Sequence, residues 1–412
     1  MAEPVSITGL GVVSPFGDSL DRFRDALLNG ATGIGTDPSF VAAGCRSTLA
    51  ARVAQFDAAT WISPMKLRRM DTTGPYALVA VRQAMDMAGY AITTDGDPRA
   101  GVVLGTYTAG GQATREYLEA LFRGGPTGAP ALLFNSTVGN AAAGLVGLEY
   151  KLCGPNATVS QKEASGLAAI GAAVDLLRFG RADAVAAGGM DAIFDIFYRA
   201  HDRFEVLNVD PEPGASTAPF ACARAGFVLG EGAFVLWLDR QPARGATVLA
   251  QILGIGSASA DCALNQWPRS SEALVRTMRL AMEDAGIGAD DVSVVYAAAN
   301  ASDLDSVEAR ALTSLFGESP AVVTSIKGAL GECGASGAAA CVAAVACGAI
   351  GKVPPIANLR EPDPTARSLH LAYSAMEAPG EIALVNSVAS GGALASVVLR
   401  IPRGTASTQN EA

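Results

Sequence analysis

Residues 157–180, ATVSQKEASGLAAIGAAVDLLRFG, hold the stretch with the clearest chemical shape. A β-prone run at 157–160 meets a polar turn, Gln161-Lys162-Glu163. Leu167, Ile170, Val174 and Leu177 then recur at helical spacing until Gly180. A strand–turn–helix unit exposes one turn residue at a helix N-terminus, where the amide dipoles favour an anion, and such an elbow can carry a nucleophile. Here the elbow residue is Glu163. A carboxylate suits the dipole, but it is a poor acyl acceptor and holds no thioester. The other chemistry-bearing side chains are Lys327, Glu332, Cys333 and the two histidines, His201 and His370. Cys333 reads either as a displaced nucleophile or as a small thiol buried among glycines. His201 reads as surface or structural, and His370 has no partner that the sequence names. If Glu163, Glu332 and Lys327 meet in one pocket, an unpaired buried carboxylate costs several kcal/mol or takes up a proton. Pairing with Lys327 avoids that cost; the alternative is that Glu163 acts as a base.

The elements around these residues follow from composition and pattern. The chain has 412 residues, 50% of them hydrophobic and 17% charged, with abundant Gly and Ala. That supports a large core of closely packed α/β layers. A net charge of −10 argues against nucleic acid or an anionic membrane as partner. Seven cysteines without a CxxC fit a reducing cytoplasm, and no metal or cofactor motif is expected. The run 334–351 is mostly Ala and Gly and reads as a buried helix rather than a membrane span.

The chain opens on a strand at 5–13 that enters a Gly/Pro-rich loop, followed by a helix near 20–29. Lys66, Arg68 and Arg69 form a basic cluster just before a helix at about 76–88. Residues 84–89 (AMDMAG) and 281–286 (AMEDAG) echo each other, and each precedes a polar loop and a strand, at 101–105 and 292–298. A second echo pairs 184–189 with 382–392, both ending in Gly-Gly. Two echoes imply two related halves, 1–248 and 249–412, built of mostly parallel sheet with helices on both faces. Residues 210–218 and 405–412 read as flexible surface segments.

These motifs resemble the β-ketoacyl synthases of the thiolase-like group. Val159, Ser160, Ala164, Ser165 and Gly166 match the V-S-T-A-C-A-S-G elbow, with Glu163 where the family has its catalytic cysteine. Gly154-Pro155, the run 183–189 with Asp191, GFVLGEGA at 226–233, and Pro354-Pro355 with Asn358 match further family motifs across nearly the whole chain. The resemblance implies the duplicated thiolase fold, layered α-β-α-β-α. It also locates what is missing. The first family histidine falls at Ala299, the second at Glu332, and the late aromatic gate at Ser390, while Lys327 keeps the family lysine. The glutamate that accompanies that lysine falls at Ala340.

A ketosynthase scaffold without its cysteine and histidines resembles the chain-length factor of type II polyketide synthases. That implies a heterodimer with an active ketosynthase α subunit and an acyl carrier protein bearing an aromatic or polyene polyketide. Gln112, Glu116, Phe134, Asn135 and Asn140 would then be tunnel or interface candidates, on and near the 134–144 segment that resembles the ketosynthase dimer segment. Lys66, Arg68 and Arg69 would contact the carrier protein or, on the plainer reading, form a solvated helix start. Three other readings stay open: a malonyl-carrier-protein decarboxylase that primes synthesis, a structural pseudo-enzyme homodimer, and a condensing enzyme with unorthodox residues.

Overall fold

The computed structural model describes residues 3–68, 70–317 and 319–403, so Arg69 and the 405–412 tail lie outside the described residues. The eleven strands of one large sheet are β1 (Val5–Val13), β2 (Ala100–Gly105), β3 (Asn156–Val159), β4 (Ala184–Asp191), β5 (Gly232–Asp239), β6 (Ala250–Ser259), β7 (Val294–Tyr296), β8 (Val322–Thr324), β9 (His370–Leu371), β10 (Ile382–Val388) and β11 (Ala393–Arg400). Their order is β9-β8-β7-β10-β11-β6-β1-β5-β4-β2-β3. The run β3-β2-β4-β5-β1 has the same order and the same strand senses as β8-β7-β10-β11-β6, and the two runs meet where β1 pairs with β6. Each run is parallel over its outer three strands and antiparallel over its inner ones, so the sheet is evenly mixed rather than mostly parallel. The expectation of parallel sheet missed the direct turn from β10 to β11 through residues 389–392, where a crossover helix would be needed for a parallel pair.

The helices complete the layers. On one outer face lie α1 (Thr73–Ala88) and α3 (Ala141–Tyr150), with α2 (Gly111–Gly124) preceding α3 in the chain. In the middle, α4 (Ser165–Arg178) packs on α7 (Ser336–Gly348). On the other outer face lie α5 (Glu272–Ala285) and α6 (Leu304–Phe316). Three large apolar clusters fill the spaces between these layers.

Small residues make the close approach possible. A Cβ at Gly9 would lie 1.9 Å from the Ala84 carbonyl oxygen, and one at Gly11 would lie 1.7 Å from that of Ala80, so α1 sits directly on β1. The second half repeats the device: a Cβ at Gly254 or Gly256 would come within 2.2 Å of the Ala281 or Thr277 carbonyl oxygen of α5. This is the physical content of the AMxxAG echo. Helix α7 is buried along almost its whole length between the halves, as its Ala/Gly composition demands. Among the described residues no helix is long and apolar enough to cross a membrane.

One loop departs from expectation. Residues 216–218 are buried rather than flexible, because the Ser216 carbonyl oxygen accepts from Asn208 Nδ2 at 3.0 Å and from the Ala225 amide at 3.1 Å.

Candidate functional site

Glu163 sits in a single 3-10 turn, Lys162–Ala164, between β3 and α4. Its neighbour Lys162 takes a left-handed backbone, φ +52°, which turns the chain from strand to helix. The Ser165 hydroxyl closes this elbow, accepting from the Gln161 amide at 2.8 Å and donating to the Lys162 carbonyl at 2.6 Å. The Glu163 residue is 2% exposed. The Ser390 amide donates to Oε2 at 2.9 Å, and the Ser390 hydroxyl donates to Oε1 at 2.9 Å. Lys162 Nζ donates to the same hydroxyl at 2.5 Å and to Asn265 Oδ1 at 2.7 Å. A serine has one proton, and here it goes to the carboxylate, so the hydroxyl relays an ion pair from Lys162 to Glu163. Burial raises the Glu163 carboxyl above its ordinary range and the nearby Glu332 adds to this, with Lys162 opposing. Burial likewise lowers the Lys162 ammonium, with Glu163 opposing.

A second lysine–carboxylate pair lies where the second-half loops converge. Lys327 Nζ donates to Glu332 Oε2 at 2.6 Å and to the Ala298 carbonyl at 2.7 Å. Asn300 Nδ2 donates to the same Oε2 at 2.7 Å. Among the described residues Glu332 Oε1 has no hydrogen-bond partner, although it is buried. Glu163 and Glu332 are near enough to repel, but Lys327 hydrogen-bonds Glu332 rather than Glu163, and the cation that acts on Glu163 is Lys162.

Carboxylates also occupy the amides of the loop at 298–301. The Ala298 and Ala299 amides donate to Glu308 at 3.0 and 2.7 Å, and Asn386 Nδ2 adds a bond at 3.1 Å. One turn earlier on α6, Asp305 accepts from the Asn300, Ala301 and Phe220 amides at 2.8, 3.1 and 2.6 Å. Burial pushes the Asp305 carboxyl up to about 7. Asp191 ties the start of α7 to the loop after β2, accepting from Thr106 Oγ1, the Tyr107 and Thr108 amides, Thr108 Oγ1 and the Gly334 amide. Burial raises its carboxyl as well.

The chemistry left to this arrangement is narrow. A thioester acceptor needs a thiolate, and position 163 holds a buried carboxylate. An enolate needs hydrogen-bond donors aimed at its oxygen. Here the Ala298 and Ala299 amides point at Glu308, while Asn300 and Lys327 point at Glu332. Cys333, Cys341 and Cys347 are buried thiols pushed well up by desolvation, so none is a ready nucleophile.

Most of the remaining sequence candidates lie at the surface. Gln112 Nε2 donates to Glu116 Oε1 across one turn of α2, on a face that is partly exposed. Phe134 is 56% exposed and leans on Tyr117 at 5.8 Å between ring centroids, so it is not core in the single chain. Asn135 and Asn140 are exposed beside it. Lys66 is ion-paired with Glu149 at 2.6 Å, and Arg68 is exposed. His201 is not on the surface: it is buried against Phe197 and Tyr107, with Nδ1 2.9 Å from the Phe197 carbonyl oxygen, and burial lowers its pKa. His370 is exposed at the sheet edge, 3.2 Å from the Pro320 carbonyl oxygen. A cleft of about 940 Å³ opens beside Asn265, the partner of Lys162, and is also lined by Cys222, Arg224, Gln266, Trp267 and Ser302 among others.

Sequence reasoning missed Lys162, Asn265, Asn300, Asp305 and Glu308. The Asp305-x-x-Glu308 spacing could have been read, since two carboxylates one turn apart at a helix start can serve the amides of the preceding loop. Nothing local marked Asn265.

This geometry has known relatives. The beta-ketoacyl synthase N-terminal domain matches residues 2–243 and the C-terminal domain matches residues 249–360. The chain belongs to the beta-ketoacyl synthase family. It is 31% identical over 404 residues to 3-oxoacyl-[acyl-carrier-protein] synthase 2 of Coxiella burnetii, covering 96% of this chain and 98% of that one. It resembles the solved ishigamide ketosynthase/chain length factor with a TM-score of 0.87 and 30% identity, covering 98% of this chain and 100% of that one. A type II polyketide synthase acyl carrier protein in complex with its ketosynthase bound to the hexaketide gives a TM-score of 0.87 at 26% identity, with the same coverage.

Proposed function

We propose that this chain is a non-condensing ketosynthase-like subunit: a chain-length factor that pairs with an active ketosynthase and helps set how far a carrier-bound polyketide grows. The observation that carries this reading is Glu163, buried at the elbow and held by Ser390 and Lys162. A site so occupied has no acyl acceptor, and its neighbouring donors are already taken by Glu308 and Glu332. The likeness to the ishigamide ketosynthase/chain length factor agrees with it. So does the apolar surface: Leu132, Phe134, Val138 and Leu148 are exposed around the 134–144 segment, and β3 ends the sheet, with no strand beyond it among the described residues. The two halves divide near residue 248, and the acyl carrier protein would meet the basic side chains Lys66 and Arg68.

The decarboxylase reading fares worse on physical grounds. A malonyl carboxylate and the enolate formed from it are both anions, and Glu332 and Glu163 would oppose them. Coexpression with a cysteine-containing ketosynthase tests the proposal. A stable complex containing both chains is expected, and Phe134→Ala within it should shift product length if Phe134 closes the tunnel. A chain that stays monomeric in sedimentation beside such a partner, or that releases CO2 from malonyl carrier protein alone, would overturn it.

A further inference from the structure

We infer that the cleft beside Asn265 is a binding site for a planar, conjugated anion, a carboxylate or phenolate carried on unsaturated carbon. At about 940 Å³ it has the size of a small-molecule pocket, and Glu163, Lys327, Glu332 and Ser390 are not among its lining residues. The cleft is thus separate from the elbow and can be occupied whether or not the chain sets polyketide length. Its wall is built before any ligand arrives. Arg224 donates to the Ser302 and Ala221 carbonyl oxygens, at 3.1 Å each, and to Ser306 Oγ at 2.6 Å, so the segments at 221–226 and 302–306 are cross-tied. A preformed wall lowers the cost of ordering on binding.

Ring and charge share this wall. Trp267 is half-buried there, and Phe227 meets its ring edge-to-face at 6.0 Å between centroids, which holds the indole in place. Val206 and Val307 add apolar surface. A flat unsaturated ligand gains most from such a wall, because ring stacking adds to the burial of area. The charges of the wall do not cancel. Of its three carboxylates, Asp363 is paired with Arg224 at 2.6 Å and Glu205 with Arg46 at 3.0 Å, which leaves Asp303 without an ion pair among the described residues. Against it stand Arg269 and Arg310, neither of which has an ion pair among the described residues. Arg310 Nη2 donates to the Arg269 carbonyl oxygen at 3.3 Å, so one guanidinium reaches across to the other residue. Unpaired guanidinium forks match a carboxylate and also stack on flat π-systems. Asn265 adds a neutral donor: Lys162 occupies its Oδ1, and its Nδ2 has no partner among the described residues.

The probe is hydroxynaphthoate, a flat aromatic carboxylate, titrated by calorimetry into the full-length chain at low salt. Saturable binding at a single site per chain is expected. Trp267→Leu, and separately the double variant Arg269→Gln/Arg310→Gln, should each weaken it by about tenfold or more at unchanged thermal stability. Neutral naphthyl methanol and non-planar cyclohexanecarboxylate should each bind at least about tenfold more weakly than the probe. Phe179→Ala, which removes an exposed ring outside the cleft, should leave binding unchanged and so guards against adsorption to apolar surface. No saturable binding, equal binding of either comparison compound, affinity unmoved by the arginine pair, or affinity lost in Phe179→Ala would each overturn the inference. Tighter binding of phosphopantetheine than of the probe would also overturn it, assigning the cleft to a carrier arm. If Trp267→Leu does not fold, the arginine variant and the comparison compounds decide the matter.

Discussion

The two lysine–carboxylate pairs of this molecule differ in how they are made. Lys327 and Glu332 touch directly, with side chains 5% and 1% exposed. Lys162 and Glu163 meet only through the Ser390 hydroxyl, and Lys162 is half-buried beside a cleft. A direct pair in a dry interior is fixed, because either charge alone is costly there. In a relayed pair with one member at the edge of solvent, breaking the relay strands only the buried Glu163, whose raised carboxyl can take up a proton. The first pair is thus enclosed on both sides, whereas the second has one member, Lys162, that solvent reaches.

Substitution separates them, and the largest effect belongs to the direct pair. Lys327→Met leaves Glu332 buried with only Asn300 as donor, and should cost about 3–5 kcal/mol in urea unfolding. The double variant Lys327→Met/Glu332→Leu should recover most of that loss, since apolar replacements of a buried pair are often near neutral. If the double variant is as damaged as the single one, packing rather than charge governs the site.

Lys162→Met should cost less, about 1–2 kcal/mol, because solvent reaches the ammonium and Glu163 keeps its two bonds from Ser390. A loss equal to that of Lys327→Met would erase the contrast between the pairs.

Glu163→Gln gives a smaller effect, visible as a pH slope. The Glu163 carboxyl binds its proton more tightly folded than unfolded, so the folded state takes up protons on folding. Its contribution is present at low pH and declines as pH rises from about 4.5 toward the raised folded value. Asp305 acts with the same sign up to about 7. Stability of the glutamine variant, followed by urea midpoint across this range, should therefore fall less steeply than that of the wild type. A steeper fall would reverse the assignment.

The smallest effect marks the other limit. Lys66 and Glu149 form an exposed pair, and Lys66→Ala should change stability by less than about 1 kcal/mol. If Lys66 contacts a carrier protein, the same variant weakens that binding and reduces its salt dependence.

How much of this was legible in the sequence depends on range. The strand–turn–helix at 157–180, the buried β1 and the two AMxxAG helices follow from local pattern, and the glycines opposite those helices explain the echo physically. The strand senses were not legible, because the turn at 389–392 looks like any glycine-rich loop until its two strands pair. At the site, Glu163, Glu332 and Lys327 were visible, and so was a pairing of a carboxylate with Lys327, but the partners of Glu163 were not. Lys162 stood beside Glu163 in the sequence, yet the Ser390 hydroxyl that joins them lies 227 positions away. Asn300 and Asn265 likewise reach their partners only through the tertiary fold.

The most direct test of the account is intact-protein mass spectrometry of the chain with and without an active ketosynthase, after incubation with acyl- and malonyl-loaded carrier protein. The account predicts no acyl adduct on this chain in either case, with the adduct appearing on the partner's thiol alone. A covalent acyl group on this chain, or β-ketoacyl product formed by it in isolation, would contradict it.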